Sequence, residues 1–158
     1  MRVATKSTFP VILLILSVSG ARAERATPVI EHPGVWLLED KIALQFFQCR
    51  DMLCARVIWV KEALDAQGLL KRDKYNPDPA LRGRQVCGPT IVWNLHPVDA
   101  SHWEDGWFYN PEGGSTYRVK LEFQSADVIS ARIYEGTPML GKTKTLTRVP
   151  IGISAGWC

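Results

Sequence analysis

From Tyr117 to Phe123 the chain reads Tyr-Arg-Val-Lys-Leu-Glu-Phe, with apolar and charged residues alternating without a break. A period of two places Tyr117, Val119, Leu121 and Phe123 on one face of a β-strand and the charges on the other, so the stretch must bury one side and wet the other. The same habit recurs on both sides of Cys49-x4-Cys54 and in Val35 to Leu38, Thr90 to Leu95, Trp107 to Tyr109, Val128 to Tyr134 and Lys142 to Val149, mostly divided by turns that carry Gly, Pro or Asp. With Cys49 set opposite Cys54, Phe46 faces Val57 and Leu44 faces Trp59, which puts Ile42, Leu44, Phe46, Val57 and Trp59 on one core-side face. Eight such strands in succession must hide eight apolar faces and two sheet edges, and closing the sheet on itself does both. The expected fold is all-β: a small eight-stranded antiparallel up-and-down barrel, at the size where the interior is either filled or holds one small ligand.

Ahead of this pattern stands a segment of different character. Arg2 and Lys6 precede an apolar run from Phe9 to Val18, and Ala21-Arg22-Ala23 closes it. A basic end, a short greasy middle and Ala-x-Ala are the parts of a secretory signal peptide, predicting cleavage between Ala23 and Glu24 and a single barrel domain over 24–158. The apolar run is too short to cross about 30 Å of hydrocarbon as a helix, so no membrane span is expected after cleavage. Residue 24 is Glu, which offers no thiol for a lipid anchor. The chain counts 19 Lys and Arg against 16 Asp and Glu, and Arg2, Lys6 and Arg22 account for the whole excess. The remaining charges balance, which argues against nucleic acid or an anionic membrane surface as partner. The expected location is periplasmic or secreted.

Export gives the cysteines their meaning, since thiols outside the cytoplasm tend to be oxidised. Four cysteines allow three pairings. The preferred one joins Cys49 to Cys54 across the hairpin and leaves Cys87 with Cys158. A zinc site would need closer Cys spacing or a histidine cluster, and His32, His96 and His102 form none, so no metal and no cofactor is expected. One stretch interrupts the strands, residues 62–88. There Asn76 is placed to cap a short helical turn with Pro77 in its first position and Asp78 four residues before Arg82. Asp73, Asn76 and Asp78 lack the spacing and the distal Glu of a calcium loop.

The ordered series Gly34-x-Trp36, Cys49-x4-Cys54, Ile58-Trp59-Val60-Lys61, Asp73-x-x-Asn76-Pro77-Asp78, Leu81-Arg82-Gly83-Arg84, Gly106-x-x-Tyr109-Asn110-Pro111, Gly114-x-x-Tyr117, Gly136-x-Pro138-x-x-Gly141 and Thr147-Arg148-Val149 resembles a family of exported bacterial proteins, domain of unknown function 2147. The resemblance covers nearly the whole stretch after the leader and implies a lipocalin-like barrel, with no established activity attached. Ala55 stands where a Gly usually follows the second Cys of the motif, and Leu146 where an aromatic residue is common. Trp36 on the first strand and Arg148 on the last are similar to the Gly-x-Trp and closing Arg of lipocalins, which implies a structural stack of guanidinium on indole.

Two functions follow as expectations. In the first, the barrel carries a small apolar molecule in a cavity lined by Phe46, Trp59, Trp93, Tyr117, Leu121, Phe123 and Ile133, residues for which plain core packing is the competing role. In the second, the core is solid and the protein is a structural or interaction module of the cell envelope, its protein partner unknown, using Trp103, Trp107 and the Asp73 to Arg84 loop. Catalysis is not expected. His96, Asp99, Ser101 and His102 supply triad residue types, but on a polar, Pro97-containing loop, and Glu104, Asp105 and Glu112 lie among turn residues.

Overall fold

The structure, a computed structural model, describes residues 34–149. The signal segment and Cys158 lie outside the described residues. Eight strands run in order: β1 (Gly34–Leu38), β2 (Ile42–Cys49), β3 (Met52–Val60), β4 (Thr90–Pro97), β5 (His102–Asn110), β6 (Ser115–Ser125), β7 (Val128–Tyr134) and β8 (Lys142–Arg148). Each pairs antiparallel with the next, and β1 pairs with β8, so the sheet closes into a barrel. Alternation supplies the reason: inward residues such as Val119 and Leu121 are buried, while Glu122 between its inward neighbours is exposed.

The up-and-down path gives the barrel two unlike ends. At one end lie the turns 50–51, 98–101 and 126–127. There Trp36 is fully buried, meets Phe123 edge-to-face at 5.9 Å between ring centroids, and carries the Arg148 guanidinium 4.3 Å above its ring. At the other end lie the turns 39–41 and 111–114 and the longer connections 61–89 and 135–141. The core cluster of Leu44, Phe46, Leu53, Leu95, Trp103 and Leu121 fills the barrel between them. Packing is close enough that a Cβ on Gly106 would sit 2.5 Å from Leu95 Cγ.

The β2–β3 hairpin is tighter than the sequence reading has it. Cys49 pairs with Met52 across a two-residue turn in which Arg50 takes a positive φ of 63°, and Phe46 faces Ala55 and Leu44 faces Val57. The disulfide Cys49–Cys54 forms nonetheless, with 5.9 Å between Cα atoms. A slip of two keeps every face, but a bulge does not. Leu44 pairs with Val57 and Ala43 with Trp59, so Ile58 is an extra residue in β3. Beyond it the alternation flips, Trp59 stands on the outer wall, and Val60 takes the inward place opposite Ile42.

Two 3-10 turns, Pro79–Leu81 and Pro138–Leu140, interrupt the connections at the open end. The first is capped by Asp78, which accepts from Ala80 N–H at 2.9 Å, with Pro79 in its first turn. Asn76 is not the cap, because its side chain is already engaged, donating to Asp73 at 2.7 Å and accepting from Asp78 N–H at 2.9 Å. Arg82 reaches back to the Asn76 carbonyl at 2.8 Å.

Candidate functional site

Inward-facing residues near the open end are too few and too short to meet across the barrel. They leave a cavity of about 260 Å³, walled by Leu38, Ile42, Val60, Ile91, Phe108 and Ile133, with Val86 of the 61–89 connection along one side. Its rim is polar: Glu39, Lys41, Asn110, Glu112 and Lys144. Lys144 pairs in register with Ala131, a core residue, so it starts from the inner face. Its ammonium lies 2.5 Å from a Glu39 oxygen. That hydrogen bond holds the Glu39 carboxyl below its ordinary range against the opposing effect of burial.

The bulge that turns Trp59 outward is what shapes this space. Val60 replaces an indole at the inner wall, and a second bulge, between Ala55 and Arg56 in the β3–β4 pairing, lets both Ile91 and Val92 face the core.

The 61–89 connection is fastened beside the mouth by a buried polar cluster. Asp73, 1% exposed, accepts from the Tyr109 hydroxyl at 2.5 Å, from Asn76 at 2.7 Å and from Arg84 at 2.9 Å, and the Arg84 guanidinium also lies 5.8 Å from the Tyr109 ring centre. Burial pushes the Asp73 carboxyl up, but these hydrogen bonds and the charge of Arg84 outweigh it and hold it below the usual carboxylate range. Burial and the Asp73 hydrogen bond push the Tyr109 phenol up to about 12. The chain passes so close here that a Cβ on Gly114, at φ +68°, would collide with the Tyr75 carbonyl.

Of the seven residues expected to line a cavity, the structure brings only Ile133 to it. Phe46 and Leu121 belong to the packed middle of the core, and Phe123 packs on Trp36 at the closed end. Tyr117 is half-buried opposite Phe108 in register. Trp59 is on the outer wall, turned there by the extra residue Ile58. Trp93, paired with Trp107, also faces out, because an added residue at Asn94, with φ 57°, lets Val92 and Leu95 both point inward. Phe108, Ile91, Leu38 and Val60 were missed as liners. Alternation marks Phe108 as inward but does not say how near the mouth a residue lies.

The residues considered for partner contact and catalysis also find their places. Trp103 is buried in the core rather than exposed, and Trp107 is half-buried on the outer wall with the Arg118 guanidinium 4.5 Å from its ring centre. Ser101 Oγ and Asp99 both meet the same nitrogen, Nδ1 of His102, at 3.1 and 2.9 Å. A relay needs them on opposite nitrogens, so this cluster is a turn, in which Asp99 also accepts from the Ser101 and His102 amides. The Asp99 hydrogen bond raises the His102 imidazole above its ordinary value. No group of three or more His, Cys, Asp and Glu side chains is gathered to hold a metal among the described residues. No helix among them is long and apolar enough to cross a membrane. Cys87 is disulfide-bonded; Cys158, its expected partner, lies outside the described residues.

A closed eight-stranded antiparallel barrel, stacked shut by Trp36 and Arg148 at one end and hollow at the other, defines the lipocalin-like class. HP1028 from Helicobacter pylori, a solved structure described as belonging to the lipocalin family, superposes with a TM-score of 0.69 at 27% identity, over 78% of this chain and 86% of that one. Residues 34–148 match the family described as "Uncharacterized protein conserved in bacteria (DUF2147)", and the chain belongs to that family. No curated protein matches significantly.

Proposed function

We propose that this chain is an exported, non-enzymatic binding protein that takes a small, mostly apolar molecule into the open end of its barrel. The observation that carries this reading is the cavity of about 260 Å³ with apolar walls and a polar rim. It exceeds the roughly 150 Å³ that suffices for benzene in an apolar cavity and falls short of the roughly 300–1,000 Å³ of drug-sized sites. A compact guest, or the end of a longer one, fits. Its burial against Leu38, Ile42, Val60, Ile91, Phe108 and Ile133 contributes roughly 25 cal/mol per Å². The leader, the Cys49–Cys54 disulfide and the lipocalin-like relative support export and carriage.

The test begins with protein recovered from its own cell envelope, which should start at Glu24 and show a bound mass under native ionisation. After delipidation, calorimetric titration with fatty acids, isoprenoids and small aromatics should saturate. Ile133→Asp or Phe108→Asp should abolish binding with the β-type far-ultraviolet spectrum intact, whereas Trp93→Ser on the outer wall should leave it unchanged. Carriage is wrong if nothing co-purifies and no titration saturates below about millimolar, roughly 4 kcal/mol of binding. The second reading, a partner-binding module, then takes over. It draws support from Leu69 and Met139, 64% and 89% exposed on the loops around the mouth.

A further inference from the structure

Where β7 turns Ile129, Ala131 and Ile133 to the inside of the barrel, its partner β8 sets Leu146, Lys144 and Lys142 level with them. Two lysines on the inner face of one strand are at odds with the apolar wall beside them, since an ammonium leaves water only for a partner. Lys142 begins the strand and is exposed. Lys144, 33% exposed, takes its partner from the turn 39–41, where Glu39 brings a carboxylate oxygen to 2.5 Å from the ammonium. Glu39 and Asp40 hold φ values of 50° and 53°, a left-handed pair that favours Asn and Gly, so a glutamate is kept there against its conformational preference. The carboxylate it delivers is nearly half exposed and also feels the charge of Lys41. Asn110 completes this part of the rim. Its Oδ1 accepts from Glu112 N–H at 3.1 Å, so what it can offer a guest is its amide donor, while Glu112 itself is exposed on the turn 111–114.

We propose that the guest is an amphiphile with a carboxylate head on an apolar tail, the head taking the place that Glu39 holds on Lys144 and the tail filling the cavity. The inference rests on the reading of the barrel as a carrier. Glu39 is then a stand-in of the chain's own, which keeps Lys144 paired between guests and turns to water when one arrives. A part-exposed ion pair contributes little, so the exchange is easily made. The incoming carboxylate meets the same ammonium with apolar walls on one side, where a charge-assisted hydrogen bond is stronger than in open water. A neutral guest leaves Glu39 in place and gains nothing from Lys144. A cationic guest must part Glu39 from Lys144 and then faces Lys41, Lys142 and Lys144 together.

Octanoate and octanol, titrated calorimetrically into the delipidated protein, read the head apart from the tail. Octanoate should bind at least about tenfold more tightly. Lys144→Met, which keeps the stem and drops the charge, should bring that ratio to about one. Glu39→Gln, a change on an exposed turn that removes the competing carboxylate, should raise it several-fold, and Lys120→Met on the outer wall should leave it as it was. A ratio near one in the unmutated protein, or a ratio that Lys144→Met and Glu39→Gln both leave unmoved, overturns the carboxylate head while carriage stands. Saturation by neither compound overturns it too, and the wider panel of apolar compounds then decides whether carriage falls as well.

Discussion

Trp36 is fully buried where the first and last strands meet, and its chemistry is unusual for a buried indole. The Nε1–H is buried with no hydrogen-bond partner among the described residues, while the π face receives Arg148 at 4.3 Å. The residue therefore acts through its ring, not through its polar handle. Trp36→Ala should cost about 3–5 kcal/mol of stability, and Trp36→Phe distinctly less, in urea unfolding. A double-mutant cycle between Trp36 and Arg148 should give a coupling of about 0.5–2 kcal/mol, and additive losses would show that the stack contributes nothing. This pair was legible because Gly34-x-Trp36 and Arg148 resemble the lipocalin pattern and stand on the first and last strands, which a closed barrel makes neighbours. Trp59 was not legible in the same way. Its outward turn depends on Ile58 being one residue too many, and an inserted Ile looks like any other strand residue.

At the scale of elements, the 61–89 connection shows how local reading fails. Asn76 suggested a helix cap from its neighbours and Asp73 had no role once a calcium loop was set aside, yet Asp73 finds a partner in Tyr109, 36 residues away. Nothing in a linear pattern announces that pairing. Asp73→Ala strands the Tyr109 hydroxyl and Arg84, and should cost about 3 kcal/mol, seen first as lost hydrogen-exchange protection around 73–76. The pH dependence has two limbs. Asp73 has a folded pKa below its ordinary value of 3.8, so its stabilisation is whole above that value and is lost as pH falls through the folded one. Tyr109 is raised from 10.0 to about 12, so its share is whole below 10 and is lost as pH rises towards 12. Asp73→Ala should flatten the acid limb of a stability–pH curve; a limb identical to that of the unmutated protein would discharge Asp73 of that role. The β2–β3 disulfide, closing a short loop, should contribute about 2 kcal/mol, measured as the shift of the urea midpoint in Cys49→Ser/Cys54→Ser.

Across the whole molecule, the number, order and antiparallel sense of the strands could be read from alternation and turns, because every strand pairs with its neighbour in sequence. The position of the hollow could not. Alternation says which side chains point inward, while emptiness depends on their height in the barrel, on two bulges in β3 and β4, and on Val86 from a connection with no period. The same neighbour-to-neighbour order has a kinetic consequence. Six of the eight seams join strands linked by short turns and can zip one after another, and the β3–β4 seam spans the 61–89 connection, but the β1–β8 seam joins the two ends of the barrel, closing a loop of over a hundred residues (38 to 142) at roughly 4 kcal/mol of chain entropy. That seam should be the last to form. Trp36→Phe and Arg148→Met, which weaken it, should then speed unfolding in stopped-flow measurements and leave the refolding limb nearly untouched, giving φ values near zero, whereas a φ near one would mean the ends of the chain find each other first.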